Sequence, residues 1–144
     1  MPRESGGAGR ILGLDPGTRR VGLAISDPDR RVAVGLETFE AGPGRNFVDH
    51  LGAILQTYGV VRIVVGYPRT LRGEVGAAAR RSETLARRLR RELGVAVDLW
   101  DERLTTAQGE RVLRGQRAPR GAQDRLAAIL ILQNYLDRHG AEAP

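Results

Sequence analysis

Ile11-Leu12-Gly13-Leu14-Asp15-Pro16-Gly17-Thr18-Arg19-Arg20-Val21-Gly22-Leu23-Ala24-Ile25-Ser26 decides how the chain begins to fold. Ile11 to Asp15 is a short apolar run of the kind that forms a buried strand, bounded by Pro16 and Gly17. Val21 to Ser26 follows after a turn and alternates with the period of two that a strand requires. Asp27-Pro28-Asp29 turns the chain again, and Val32 to Phe39 reads as a third strand. Three strands joined by short turns predict an antiparallel meander.

Outward from the meander, Gly42-Pro43-Gly44 breaks the chain, and the period then changes. Phe47, Val48, Leu51, Ile54, Leu55 and Tyr58 fall at helical spacing, with Gly59 placed as a C-cap. Val60 to Val65 is a β-branched run interrupted only by Arg62, as in a strand covered on both faces. Gly66 to Gly76 is a loop rich in Gly and Arg. Ala77 to Leu93 is a helix with an arginine-laden outer face, stopped by Gly94, and Val95 to Trp100 is a fifth strand. Thr105 to Leu113 reads as a helix, Gly115 to Gly121 as a basic loop, and Ala122 to Arg138 as a last helix with a strongly apolar face. The order β-β-β-α-β-α-β-α-α predicts an α/β fold. Its sheet is mixed and five-stranded, the antiparallel meander joined by parallel fourth and fifth strands, with helices on both faces.

The 144 residues suit one domain, expected over residues 10–139, with the first nine as a frayed leader that lacks the apolar centre of a secretory signal. No apolar run is long enough to span a membrane. Cysteine is absent, which excludes disulfides, thiolate metal sites and a Cys nucleophile and suits a cytoplasmic protein. All 23 basic residues are arginine, and the net charge is +6. GC-rich codon usage accounts for the missing lysine, yet the charge still draws the chain toward polyanions, because guanidinium groups match phosphate geometry. Aromatic residues make up only 4%, so the backbone of a nucleic acid is a better target than an aromatic platform for its bases.

Three acids stand at the ends of these elements. Asp15 ends the first strand, at the carboxyl edge of the sheet, where open α/β sheets place ligands; an Asp capping the Pro-Gly turn is the alternative. Glu102 lies just past the fifth strand at the same edge, and the alternating geometry of a strand gives it and Asp101 different surroundings; a surface pair with Arg103 is its alternative. Asp124 lies in the first turn of the last helix, where an acid also simply suits the positive helix end. Together they form a self-repelling cluster that would recruit Mg²⁺ or Mn²⁺, hard cations with oxygen ligands. Two such ions about 3.5–4 Å apart can activate water and stabilise the leaving oxygen at a phosphodiester. To meet Asp15, Glu102 must reach past the fourth strand, and Gly66 has no side chain to obstruct it. His50 and His139 read as solvated surface residues, and Ser26 and Ser82 have no evident base.

Leu14 to Asp27 closely resembles the first motif of the RuvX/YqgF family. Val64-Val65-Gly66-Tyr67-Pro68 with Gly73 resembles its second, Asp101-Glu102-Arg103-Leu104-Thr105-Thr106 its third, and Asp124-Arg125-Leu126-Ala127-Ala128 through Asp137 its fourth. The match runs from about Arg10 to Arg138 in the family's order and spacing. It departs at Arg125, where the family often has a small or apolar residue, so the helix face near the acids is expected to be more basic.

The resemblance implies an RNase H-like fold related to Holliday-junction resolvases, and nuclease activity on branched DNA or in 5′-end maturation of 16S ribosomal RNA. It implies a divalent-metal site on Asp15, Glu102 and Asp124, with Asp15 bridging two ions and each of the others completing one coordination sphere. Thr18, Arg19, Arg20, Arg69, Arg72 and Arg103 then become candidate phosphate contacts, and Arg114, Arg117 and Arg120 a basic flap. A homodimer is expected if a four-way junction is the substrate.

Two rivals stand beside this reading. Asp15 to Thr18 also matches the Asp-x-Gly-Thr turn of the actin, Hsp70 and sugar-kinase group, but that group clamps ATP between two such domains and this chain has the length of one. A non-catalytic nucleic-acid or ribosome-binding module is the other, and the acidic trio speaks against it.

Overall fold

The computed structural model describes residues 9–68, 75–102 and 123–139. Its elements in chain order are β1 (Arg10–Pro16), β2 (Arg20–Ser26), β3 (Ala33–Glu40), α1 (Phe47–Tyr58), β4 (Val60–Tyr67), α2 (Ala77–Leu93), β5 (Ala96–Asp101) and α3 (Gln123–His139). The sheet runs β3-β2-β1-β4-β5. β1 pairs antiparallel with β2 and β2 with β3, whereas β1–β4 and β4–β5 are parallel. This is the mixed sheet that the sequence pattern predicts. The expected helix over Thr105–Leu113 lies outside the described residues.

Local chemistry accounts for the helix limits. Asn46 caps α1, its side-chain oxygen accepting from the Asp49 N–H at 3.1 Å. Gly59 and Gly94 close α1 and α2 in the left-handed conformation, at φ 67° and 64°. β4 runs to Tyr67, two residues beyond the apolar run at Val65. Gly66 was expected to open the loop, but the ladder holds it opposite Trp100 and holds Tyr67 opposite Asp101. Pairing on a neighbouring strand outweighs the weak strand preference of glycine.

Alternation along the strands divides the interior into two cores. Leu12, Leu14, Leu23, Ile63 and Val65 face one side and are covered by Leu51 and Ile54 of α1 and Ala86 and Leu89 of α2. Ile11, Ala24, Val64 and Trp100 face the other and are covered by Ala128, Ile129, Leu132 and Tyr135 of α3. Replacing a fully buried leucine such as Leu132 with alanine costs about 2–5 kcal/mol. α3 is also pinned by a buried amide. Gln133 Oε1 accepts from the Ala33 N–H at 2.9 Å, and its Nε2 donates to the Arg31 carbonyl at 2.9 Å. The edge strand is thereby locked to the helix that carries Asp124.

Candidate active site

The same alternation that sorts the core sorts the acids. Ile11 packs toward α3 and Leu12 and Leu14 pack away from it, so Asp15 falls on the α3 side. Val97 and Leu99 pack away from α3 and Trp100 toward it, so Glu102 falls on the α3 side and Asp101 on the other. Glu102 continues the ladder, its N–H donating to the Tyr67 carbonyl at 3.3 Å.

Two glycines allow the approach. Gly66 lies between β1 and β5 in the plane of the sheet, and a Cβ there would stand 2.6 Å from Glu102 Oε2. Gly22 is the register partner of Asp15. A Cβ on Gly22 would stand 1.9 Å from the Asp124 carbonyl oxygen, so the first turn of α3 rests directly on β2. Gly66 was legible in the sequence as the gap in front of Glu102. Gly22 was not, because its importance depends on which element crosses it.

The three carboxylates, all half-buried, form an electrostatic chain. Burial, followed by the charge of Asp124, raises the Asp15 pKa to about 6. Burial, followed by the charges of Asp15 and Asp101, raises that of Glu102 to about 7. Asp124 instead has a cation beside it, with Arg20 Nε 3.3 Å from its Oδ2. As the side chains stand, no three Asp, Glu or His groups among the described residues are close enough to enclose a metal ion. Asp15 and Glu102 repel one another, and Asp124 leans to Arg20. That pair is open to solvent, with Arg20 53% exposed, and such pairs contribute about 0–1 kcal/mol. The donor set is all oxygen and carries surplus negative charge, which fits a hard divalent cation. An exposed pair of this strength does not fix Asp124 to Arg20.

Thr18, Arg19 and Arg20 line a hollow of about 520 Å³ together with Gly17, Glu40, Ala41 and Asp124. The turn they form is closed by the Gly17 N–H donating to the Arg20 carbonyl at 2.9 Å. Arg69, Arg72, Arg103, Arg114, Arg117 and Arg120 lie outside the described residues. Arg125 was expected to make the helix face near the acids more basic. Its stem lies instead over Gly35 of the edge strand β3, with β2 between it and β1. His50 differs from the solvated residue expected, being half-buried and hydrogen-bonded to Glu37 at 2.5 Å, whereas His139 is exposed as expected, its ring against Tyr135 and the edge of Trp100. Ser26 Oγ is occupied structurally, accepting from the Ile11 N–H and donating to the Asp27 carbonyl.

Comparison with known proteins identifies the family. The family described as RuvX, Holliday junction resolvase, matches residues 9–138. A Shouchella clausii protein that bears the name of a pre-16S rRNA nuclease is 43% identical over 136 residues, which cover 90% of this chain and 95% of that one. A Nocardia farcinica protein of the same name is 42% identical over 151 residues, covering 97% and 84%. In fold, the chain is similar to Thermus thermophilus RuvC solved with a Holliday junction substrate, at a TM-score of 0.58 and 21% identity over 92% of this chain and 96% of that one. The fowlpox virus Holliday junction resolvase gives 0.55 at 11% identity, over 90% and 99%. This chain therefore belongs to the RuvX family of Holliday junction resolvases, nucleases on an RNase H-like fold.

Proposed function

We propose that the protein hydrolyses phosphodiester bonds with the help of divalent metal ions held by Asp15, Glu102 and Asp124. The observation that carries this reading is the approach of Glu102 to Asp15 across Gly66, where the charge of Asp15 raises the cost of ionising Glu102. A protein that made no use of the pair would gain by losing one charge. Bound Mg²⁺ or Mn²⁺, two ions in the full site, would supply a nucleophilic water at neutral pH and charge stabilisation for the leaving oxygen. The chain's own part is to hold the oxygen donors on rigid strand ends and to orient the strand being cut. Thr18, Arg19 and Arg20 contact its phosphates at the turn after β1, and Arg20 gives up Asp124 when the site is loaded. Arg69, Arg72, Arg103, Arg117 and Arg120 extend the phosphate contacts.

The names of the relatives favour a ribosomal precursor RNA as substrate; maturation of the 16S 5′ end, in the cytoplasm, is the reaction proposed. A four-way DNA junction is the second candidate, and symmetric cutting of it would call for a homodimer. The Arg20–Asp124 pair, and the lack among the described residues of three acids close enough to enclose an ion, favour a module that binds nucleic acid without cutting it. Incubation of the protein and its Asp15→Asn variant with precursor 16S RNA and with branched DNA, in Mn²⁺ or EDTA, separates the readings. Cleavage that needs both Mn²⁺ and Asp15 is expected. Binding without cleavage under every condition would leave the module.

A further inference from the structure

A second hollow, also of about 520 Å³, opens on the opposite side of the same turn. Gly17, Thr18, Arg19 and Ala41 line both hollows, so the turn after β1 is the ridge between them. One hollow holds Asp124, on the α3 side. The other lies between the turn and α2, and beyond Thr18 and Arg19 on the shared ridge the nuclease reading uses none of its residues.

Its lining is divided by chemistry. The floor is apolar, built from Pro16, Val21, Phe39, Phe47 and Leu85, and it includes both phenylalanines of the chain. The rim is basic, with Arg19 on the turn and Arg80, Arg81 and Arg88 on α2. These arginines differ in how far they are committed. Arg80 donates to the Val75 carbonyl, and Arg88 pairs with Glu92. Arg19 and Arg81, both exposed, pair with no carboxylate among the described residues. Elsewhere on α2, Arg90 is spent on the Val97 carbonyl. Uncommitted guanidinium charge is thus concentrated around an apolar depression, next to the residues that lead into the acidic site.

We propose that this cleft takes one unpaired nucleotide of the substrate strand, the neighbour of the phosphate being cut. The inference rests on the nuclease reading and adds a substrate class to it. A phosphate backbone crossing the turn from Asp124 would meet Arg19 and then Arg81. A base between them would leave water for the apolar floor. The volume falls within the range of small-ligand sites, roughly 300–1,000 Å³. A paired base could not enter, because its faces are stacked and its edge is bonded to its partner; a single-stranded or extruded base could. The cleft therefore selects for single-stranded or frayed nucleic acid beside the cut, over continuous duplex.

The test fills the cleft without touching the core. Thr84 is exposed and lines it, so Thr84→Trp occupies it, and Arg81→Ala removes rim charge. Arg91→Ala, exposed on α2 outside the lining and in contact with none of its residues, is the control. Binding of a labelled eight-nucleotide single-stranded RNA and of a blunt hairpin duplex is followed by fluorescence anisotropy in EDTA, with melting curves to verify folding. Thr84→Trp should weaken single-strand binding about tenfold and duplex binding less than about twofold, as expected for losing one base contact. Arg81→Ala should weaken single-strand binding and reduce the slope of log K against log salt by about one. Arg91→Ala should leave the single-strand preference intact. Equal loss on both ligands, or none, in folded Thr84→Trp overturns the cleft, even if Mn²⁺-dependent cleavage persists. Selective loss without any cleavage by the parent protein keeps the cleft and sinks the nuclease reading.

Discussion

Glu102 Oε2 fills the space above Gly66, 2.6 Å from where that residue's Cβ would stand. The missing side chain is therefore part of the site. Gly66→Ala would push on both Glu102 and Ile131 Cδ1, and Ile131 is buried on the face of α3 that packs against the sheet. The expected outcome is a loss of about 1–3 kcal/mol in a denaturant titration, as for other overpacked positions. Nuclease activity should fall at least about tenfold, because displacing a reacting group by an ångström has costs of that order. Retained activity with a wild-type melting curve would show that Glu102 need not cross Gly66.

Arg20 holds Asp124 at 3.3 Å, and the pair is exposed. Arg20→Gln should change stability by less than about 1 kcal/mol. It should also tighten Mn²⁺ binding severalfold in isothermal titration, because Asp124 no longer has to exchange a guanidinium for the metal. Substrate KM should rise through the lost phosphate contact. Unchanged Mn²⁺ affinity would argue that Asp124 takes no part in holding metal.

The raised pKa values of Asp15 and Glu102, about 6 and 7 against ordinary values of 3.8 and 4.5, set a pH window. Between about pH 4 and 7 the folded protein keeps protons that the unfolded chain has already lost. The contribution of these groups to stability is therefore greatest below pH 4 and declines as pH rises through 7. Asp15→Asn should flatten that decline. It should stabilise the metal-free protein at pH 8 by about 1–2 kcal/mol, discounted for partial exposure. Melting temperatures of both proteins at pH 5 and 8 in EDTA measure the difference. Activity should rise over the same window, since both carboxylates must be charged to hold a cation.

Addition of Mn²⁺ at pH 8 should raise the melting temperature of the parent protein, and EDTA should remove the rise. A ligand that binds the fold at 100 times its Kd stabilises it by about 2.7 kcal/mol. Asp15→Asn and Glu102→Gln should each lose most of that increment. An equal Mn²⁺ shift in all three proteins would locate the ion elsewhere.

Gln133→Leu removes the acceptor for the Ala33 N–H and the donor to the Arg31 carbonyl, both at 2.9 Å. The expected cost is about 1–3 kcal/mol, that of buried polar groups left without partners. Activity per folded molecule should be preserved, since Gln133 fixes α3 to β3 at a distance from the acids.

Much of this protein could be read directly from its residues. Apolar period and Gly and Pro punctuation mark α1 at Phe47–Tyr58 and α2 at Ala77–Leu93, with the limits seen in the structure. Those signals are local, since a cap or a buried stripe is written within a few residues of where it acts. The mixed sheet followed from element order and the handedness of crossovers, and Asp15 and Glu102 from their places at strand ends. The tertiary structure decided what depends on residues distant in the chain. The resting of α3 on Gly22, the pairing of Asp124 with Arg20, the turning of Arg125 toward β3 and the joining of both phenylalanines with the arginines of α2 were set there. Each is a contact across many residues of sequence, and its energy depends on packing that no periodicity encodes. A single strand's alternation tells which side a carboxylate faces. Only the assembled layers determine which charge or surface it meets there.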